Sequence, residues 1–462
     1  MNNAADILDA IKKGKMSSYQ ILIVALCTLI AGLDGFDVLV VAYTGPAISI
    51  NWGLAPTDLG LLFSAGLAGM GLGAVAVAPI GDIVGRKPTI MFCMVLLLVG
   101  MGLSAFTSGL GELAFMRLVT GIGIGGILAN VNIMVTEYSS ARRKALCVSL
   151  MALGYPVGAT LGGIFSVFLI QAYGWQSVYL FGAGAAALLL PLIWIAMPES
   201  VDYLIAKKPA NALERCNRIL SKMGMPNLDL LPAHHSVTGA KPGLIALLGN
   251  GDMVSRLFFT SVVYFTVMMT CYFLLSWTPQ ILTRSGMTQT MGISGSLLMN
   301  LGGIAGCLVY GFLAQKLGPR ALAAAFMVGL VITSVSFAAA PGASILLLVT
   351  AVAVGFCLFS AVNSLYVLVP GVFPVQVRST GTGIAMGAGR LGAVAGPLLA
   401  GYLIGLGLDK TMYIAILSAP MIIASIVLVK LRPFLDAVKK SVDISLNPMP
   451  AGVSSPFGEN SH

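Results

Sequence analysis

The sequence predicts an all-α integral membrane protein, with twelve transmembrane helices in two six-helix pseudo-symmetric bundles. Three observations carry that prediction. Apolar residues make up 57% of the 462 residues and charged residues only 9%, where soluble domains average roughly 25% charged. Twelve segments stay apolar over the roughly 20 residues that a spanning helix needs. The second half of the chain also repeats motifs of the first. A mean hydropathy of +0.94 agrees. Glycine is abundant at 55 residues without a Gly-X-Y period, which suits membrane helices whose backbones approach closely.

In order, the segments are 19–46, 57–80, 89–107, 111–137, 145–170, 175–197, 254–282, 291–314, 321–340, 343–369, 379–406 and 411–430. The first six form an N-terminal bundle over 19–197 and the last six a C-terminal bundle over 254–431. Residues 1–18 are a polar N-terminal segment, and the first apolar run is too long for a signal-peptide core and carries two acids. The longest polar stretch, 198–253, is a central loop; its "KKPANALERCNRILSKMG" could form short amphipathic helices. The tail 432–462 is polar and expected to be loose. The seven Cys are scattered, six of them in apolar segments, and read as apolar packers without a disulfide framework.

Orientation follows from Lys and Arg. With the N-terminus inside, 22 of 26 basic residues fall on the inner side, among them Lys12, Lys13, Lys15, Arg86, Lys87, Arg142, Arg143, Lys144, Lys316, Arg320 and Arg378. Arg284 and Lys410 fall outside, and Arg117 and Arg390 lie within helices. Both termini and the loop are therefore expected in the cytoplasm, with the chain in the plasma (cell inner) membrane. The same asymmetry explains the net charge of +9 without a nucleic-acid partner.

The repeat is explicit. "APIGDIVGRK" (78–87) follows the second segment and "GFLAQKLGPR" (311–320) the eighth, with Asp82 matching Gln315 at an offset of 233. "EYSSARRKALCVSLMALGY" (137–155) and "VFPVQVRSTGTGIAMGAGR" (372–390) align at an offset of 235, placing Arg143 on Arg378 and Tyr155 on Arg390. A duplication of this kind is a transporter plan.

These motifs resemble the major facilitator superfamily. "GDIVGRK" is similar to its loop signature G-x-x-x-D-[RK]-x-G-R-[RK], with Ala78 for the first Gly and Ile83 for the basic residue. The second copy keeps Gly311 but has Gln315 and Pro319. "RLVTGIGIGG" in the fourth segment resembles the R-x-x-x-G motif. "GYPVGATLGG" in the fifth resembles the Gly-rich antiporter-type motif, without its Gly-Pro. "LDGFD", "YFLLSWTPQIL" and "GAGRLGAVAGPLLAG", in the first, seventh and eleventh segments, resemble the aromatic acid:proton symporter family. That resemblance implies a proton-coupled symporter that imports a small organic anion such as a benzoate or hydroxybenzoate by alternating access. It also implies a monomer in the lipid bilayer, with no enzyme activity and no cofactor. "MPES" after the sixth segment resembles sugar porters, which keeps a proton-coupled sugar or sugar-acid carrier as the rival. A transporter-like nutrient sensor is the reading from another class.

The residues that could carry transport are few. Asp34 and Asp37 are three apart and share one helix face. Two like charges in a poorly hydrated site do not readily ionise together, so one of them is a candidate to bind a proton reversibly. A charge near the bilayer centre costs at least ~2.5 kcal/mol, so the pair should face a cavity or a cation; the alternative is a permanent ion pair that orders the helix. Arg390, about 12 residues into its segment, lies near mid-membrane, where a guanidinium could hold a substrate carboxylate bidentately, or Asp34 when the site is empty. Arg117 lies nearer the outer end, at about the depth of Asp37. The superfamily links it to proton movement, and a structural pair with Asp37 is the other reading. Tyr155, Trp277, Asn363 and Tyr366 are candidates to line the substrate path, with Phe36, Tyr272, Asn130, Asn132 and Asn300 behind them; packing is the alternative for each alone. Asp82, Gly85, Arg86, Glu137, Arg143 and Arg378 form an inner layer that reads as a conformational gate. His234, His235 and His462 lie in the loop and tail, so carboxylates would have to carry any proton. No nucleotide, metal-ligand or nucleophile motif is present. "GIGIGG" lies inside an apolar helix rather than at a strand-to-helix turn.

Overall fold

The computed structural model describes residues 16–231, 249, 251–342, 344–374 and 377–431. The expectations for Lys12, Lys13, Lys15, His234, His235, His462 and the tail 432–462 lie outside the described residues. Among the described residues there is no strand. Among these residues, twelve helices are long and apolar enough to cross a membrane: α1 Ser18–Trp52, α2 Pro56–Val84, α3 Arg86–Ser104, α4 Leu110–Tyr138, α5 Leu146–Tyr173, α6 Gln176–Ala196, α7 Gly251–Arg284, α8 Gln289–Ala314, α9 Pro319–Ala339, α10 Ile345–Val372, α11 Thr380–Gly405 and α12 Lys410–Lys430. In hydrocarbon each backbone N–H and C=O must be satisfied within its own segment, which leaves helix as the form these runs take.

Local chemistry sets the ends. Ser17 and Gln20 form a reciprocal capping box at the start of α1, and Gly53 closes it in the left-handed region. α1 continues through Pro46 to Trp52, six residues past the apolar run at 19–46. The lost Pro46 donor is tolerated inside a membrane bundle. Within α2, Gly73–Val77 form a π-helical turn, and α12 is broken before Pro420. The polar segment after α6 folds as two short helices, Val201–Lys207 and Ala212–Lys222; the second buries Ala212, Cys216, Ile219 and Leu220 along one face.

Helix pairing repeats between the halves. α1 packs on α5, α2 on α4, α3 on α4 and α6; correspondingly α7 packs on α11, α8 on α10, α9 on α10 and α12. Small residues make the closest of these approaches. A Cβ on Gly35 would strike the Tyr155 carbonyl and one on Gly158 the Gly32 carbonyl, so α1 and α5 touch backbone to backbone. Gly392 and Gly396 do the same for α11 against Phe265 and Met269 of α7.

The two halves meet through α2 with α11, α5 with α8, and α1 with α7. Among the described residues, their hydrogen bond, ring contact and glycine contacts lie at mid-depth or toward the end away from the chain termini. Ser64 Oγ donates to the Val394 carbonyl at 2.8 Å. Phe63 meets Trp277 edge-on at 5.4 Å between centroids. Gly60 abuts the Pro397 carbonyl and Gly401, and Gly163 abuts Leu297. At the termini end the polar contacts run within each half, as in Arg86 to Asn130 and Arg256 to Val372.

Candidate functional site

Asp34 lies at the middle of α1, 16 residues from Ser18 and 18 from Trp52. It is 2% exposed, and neither carboxylate oxygen has a hydrogen-bond partner. Its electrostatic neighbours are Arg390 and Asp37. Asp37, one turn on, is in a different position: Arg117 of α4 donates to its Oδ1 at 2.9 Å, with the two side chains 1% and 5% exposed. The Arg117 guanidinium also stands 5.2 Å from the Tyr179 ring centre, and the Tyr179 hydroxyl is 3.1 Å from Thr44 Oγ1. Arg117 is thereby held by an anion and a π face together. Its Nε and second terminal nitrogen have no partner.

Arg390 faces the same region from α11. Tyr272, Tyr366, Asp34 and Tyr155 lie within electrostatic range of its guanidinium, and its Cβ lies 3.9 Å from where a side chain on Gly71 of α2 would begin. One cation thus shares its electrostatic surroundings with three tyrosines and one carboxylate, and the five residues come from α1, α5, α7, α10 and α11. Tyr155 reaches this place because α5 lies directly on α1 at Gly35. A guanidinium can hold a carboxylate through its N–H fork, and tyrosines in its neighbourhood can stack on a ring attached to that carboxylate.

The other candidates are placed as follows. Tyr366 is 52% exposed, and Asn363 and Tyr155 are half-buried. Trp277 requires a correction. It is 0% exposed, its indole N–H donates to the Pro397 carbonyl at 3.2 Å, and its ring is packed on Phe63 in the seam between the halves. It is a packing residue in this conformation and has no face for a ligand. Asn300 is fully buried beside Tyr43, and Asn132 is exposed.

At the termini end, Asp82 and Arg86 form an ion pair one turn apart. Arg86 also donates to Asn130 Oδ1 at 2.9 Å. Glu199, just after α6, completes the cluster: its Oε1 accepts from the backbone N–H groups of Arg86 (2.7 Å), Lys87 (3.2 Å) and Ser200 (2.9 Å). A carboxylate at the amino end of α3 complements the exposed N–H groups and dipole there. Gly85 makes room for it: its φ is +118°, and a Cβ would fall on the Glu199 carboxylate. Glu137 lies in the same layer, near Ser200, Asp202, Arg86 and Glu199. Arg143 and Arg378 stand apart from this network. Arg143 is exposed, and Arg378 donates to the Phe373 carbonyl at 3.4 Å. The sequence does not single out Glu199 within "MPES", because its long-range partners are backbone amides 112 and 113 residues away. Among the described residues no group of His, Cys, Asp and Glu could hold a metal.

The Major Facilitator Superfamily profile matches residues 24–385 and 310–458. The chain belongs to the Major Facilitator Superfamily. As a superfamily member it is a multi-pass membrane transporter and not an enzyme. It is similar to a gallate transporter of Pseudomonas putida, 32% identical with 91% of this chain and 94% of that one covered. It is also similar to the 4-hydroxybenzoate transporter PcaK of Acinetobacter baylyi, at 30% identity with 92% and 93% covered. Among solved superfamily structures, the partially occluded inward-open xylose transporter XylE of Escherichia coli matches with a TM-score of 0.69, covering 90% of this chain and 98% of that one. At 18% identity that likeness concerns the fold.

Proposed function

We propose that this protein is a proton-coupled symporter that imports an aromatic carboxylate, of the benzoate or hydroxybenzoate class, by alternating access. The observation that carries the reading is the buried Asp34 carboxylate, which has no hydrogen-bond partner and lies within electrostatic range of Arg390, itself within range of Tyr155, Tyr272 and Tyr366. The relatives named for gallate and 4-hydroxybenzoate transport support the substrate class. Arg390 takes the substrate carboxylate, and Tyr155, Tyr366 and Asn363 line the ring's surroundings. Asp34 takes the proton, with the Asp37–Arg117 pair behind it. Protonating Asp34 removes the anion that competes with substrate for Arg390. After the halves rock about α2–α11 and α5–α8, substrate and proton leave and Asp34 again faces Arg390. Two protons per monoanion would add inward-driven charge worth ~2.3 kcal/mol per 100 mV.

In this reading 19–197 and 254–431 are the moving halves, 198–253 joins them, and the positive-inside asymmetry puts both termini in the cytoplasm of a cell whose inner membrane holds a monomer. Asp82, Gly85, Arg86 and Glu137, with Glu199, form the gate at that side. Arg143 and Arg378 act only as anchors there.

The test is uptake into proteoliposomes under an inward proton gradient, with labelled benzoate, 4-hydroxybenzoate, gallate and xylose. The expected result is accumulation of the aromatic acids that a protonophore abolishes. Asp34→Asn should keep substrate exchange and lose accumulation by roughly tenfold or more, and Arg390→Ala should lose both. Gradient-driven uptake of xylose alone, or full accumulation by both variants, overturns the proposal.

A further inference from the structure

One cluster of charge is unused by the transport reading. At the termini end of the N-terminal half, the start of α3, the end of α6 and the helix Ala212–Lys222 enclose a hollow of about 210 Å³. Lys87, Arg215, Arg218 and Lys222 line it. Among the described lining residues the one carboxylate is Glu199, which is 4% exposed and already accepts from three backbone amides. Arg218 is paired with Glu214 at 2.9 Å. Lys87 lies within electrostatic range of Glu199 as well as of Arg215 and Lys222, so three cations converge on one opening against a single carboxylate that three backbone amides already engage. Repulsion of this kind is relieved when an anion enters.

Position decides which anion. Trp194 and Ile195, at the end of the spanning helix α6, are 66% and 75% exposed. The Lys87 ammonium donates to the Trp194 carbonyl at 2.6 Å and lies 5.8 Å from its ring centre. Exposed apolar side chains on a span face acyl chains, and Trp favours the boundary with the headgroups. The hollow therefore has cations on one wall and an apolar rim on the other, at headgroup depth.

We propose that this hollow binds the phosphate of an anionic phospholipid, with the acyl chains running down α6 past Ile195 and Trp194. Basic pockets at the ends of membrane helices recognise headgroups in this way. A free phosphate would satisfy the same cations but would leave the apolar rim unused, and this difference distinguishes the two sources.

The test uses purified full-length protein, with bound lipid counted by native mass spectrometry after exposure to phosphatidylglycerol, to phosphatidylcholine, or to phosphatidylglycerol with inorganic phosphate at equal concentration. Wild type should retain phosphatidylglycerol in preference to phosphatidylcholine, and phosphate should not displace it. Arg215→Gln with Lys222→Gln should lower retention about tenfold. Arg215→Lys with Lys222→Arg should retain it. Removing two exposed charges elsewhere, Lys207→Gln with Lys316→Gln, should change nothing. If Arg215→Gln reduces the yield of folded protein, Lys222→Gln alone gives the same reading with a smaller loss. Wild-type retention by the double Gln variant, equal loss in the Lys207/Lys316 control, or displacement by inorganic phosphate would each overturn the proposal.

Discussion

Arg117 holds Asp37 at 2.9 Å with both side chains buried, whereas Asp34, one turn earlier on the same face of α1, has no partner for either oxygen. Two acids that look equivalent in "LDGFD" are therefore unequal in the fold. One is tied to α4 within its own half. The other faces Arg390 across the two halves.

The tied acid should matter first for stability. Removing one partner of a buried pair leaves an uncompensated charge and costs about 3–5 kcal/mol, while replacing both by apolar groups is often tolerated. Arg117→Leu should lower the unfolding temperature in detergent sharply, and Arg117→Leu combined with Asp37→Leu should recover much of it. A single variant that melts with wild type would show that the pair does not hold α1 to α4.

A second prediction concerns the amino end of α3. Gly85 has φ +118° and ψ 154°, a region essentially reserved for glycine, where another residue costs about 1–3 kcal/mol. Its missing side chain also leaves the space that Glu199 fills. Gly85→Ala should thus be less stable than Glu199→Gln, which keeps the shape and weakens only the charge interaction with the helix end, worth about 0.3–1 kcal/mol. Thermal unfolding of the two variants and wild type gives the order, and a Gly85→Ala protein as stable as Glu199→Gln would contradict it.

The helices were legible because their signal is local. Hydropathy marks each run, and the bounds moved mainly where caps and prolines intervene, as at Pro46. The α1–α5 contact was only half legible: the glycines of "LDGFD" and "GYPVGATLGG" permit a close approach without naming the backbone that meets them. The place of Trp277 was not legible. A buried tryptophan and a ligand-facing one have the same sequence context, and only the carbonyl of Pro397, 120 residues away, separates them. Glu199 escaped for the converse reason: its partners are main-chain amides, which carry no side-chain signature.

Cys216 reports whether the helix Ala212–Lys222 is docked. It is 0% exposed, and burial pushes its thiol up to about 11. Since the thiolate is the reactive form, about one part in ten thousand is available at pH 7. Maleimide labelling of Cys216 should be slow at neutral pH and rise about tenfold per pH unit below the thiol's titration point. Ile219→Asp, which puts a charge on the buried face of that helix, should expose the thiol and accelerate labelling at pH 7. Rapid labelling of wild type would mean the helix is not held against the bundle.

The seam away from the termini should set the balance between the two ends of the transport cycle. Here Ser64 Oγ donates to the Val394 carbonyl across the halves at 2.8 Å, and a Cβ on Gly60 would stand 2.8 Å from the Pro397 carbonyl and 3.2 Å from Gly401. Opening this end breaks the hydrogen bond and separates the glycines, so both favour the closed seam. A typical hydrogen bond contributes about 1 kcal/mol, which is about a fivefold change in population. Ser64→Ala should shift the equilibrium toward the state open at this end by that factor. Gly60→Leu should shift it further, because its side chain cannot fit while the seam is shut. Spin labels at Asn51 and Leu406, both exposed near this end, should report a longer distance in the order wild type, Ser64→Ala, Gly60→Leu. Unchanged distances in both variants would place control of the cycle elsewhere, most directly in the Glu199–Arg86 layer at the opposite end.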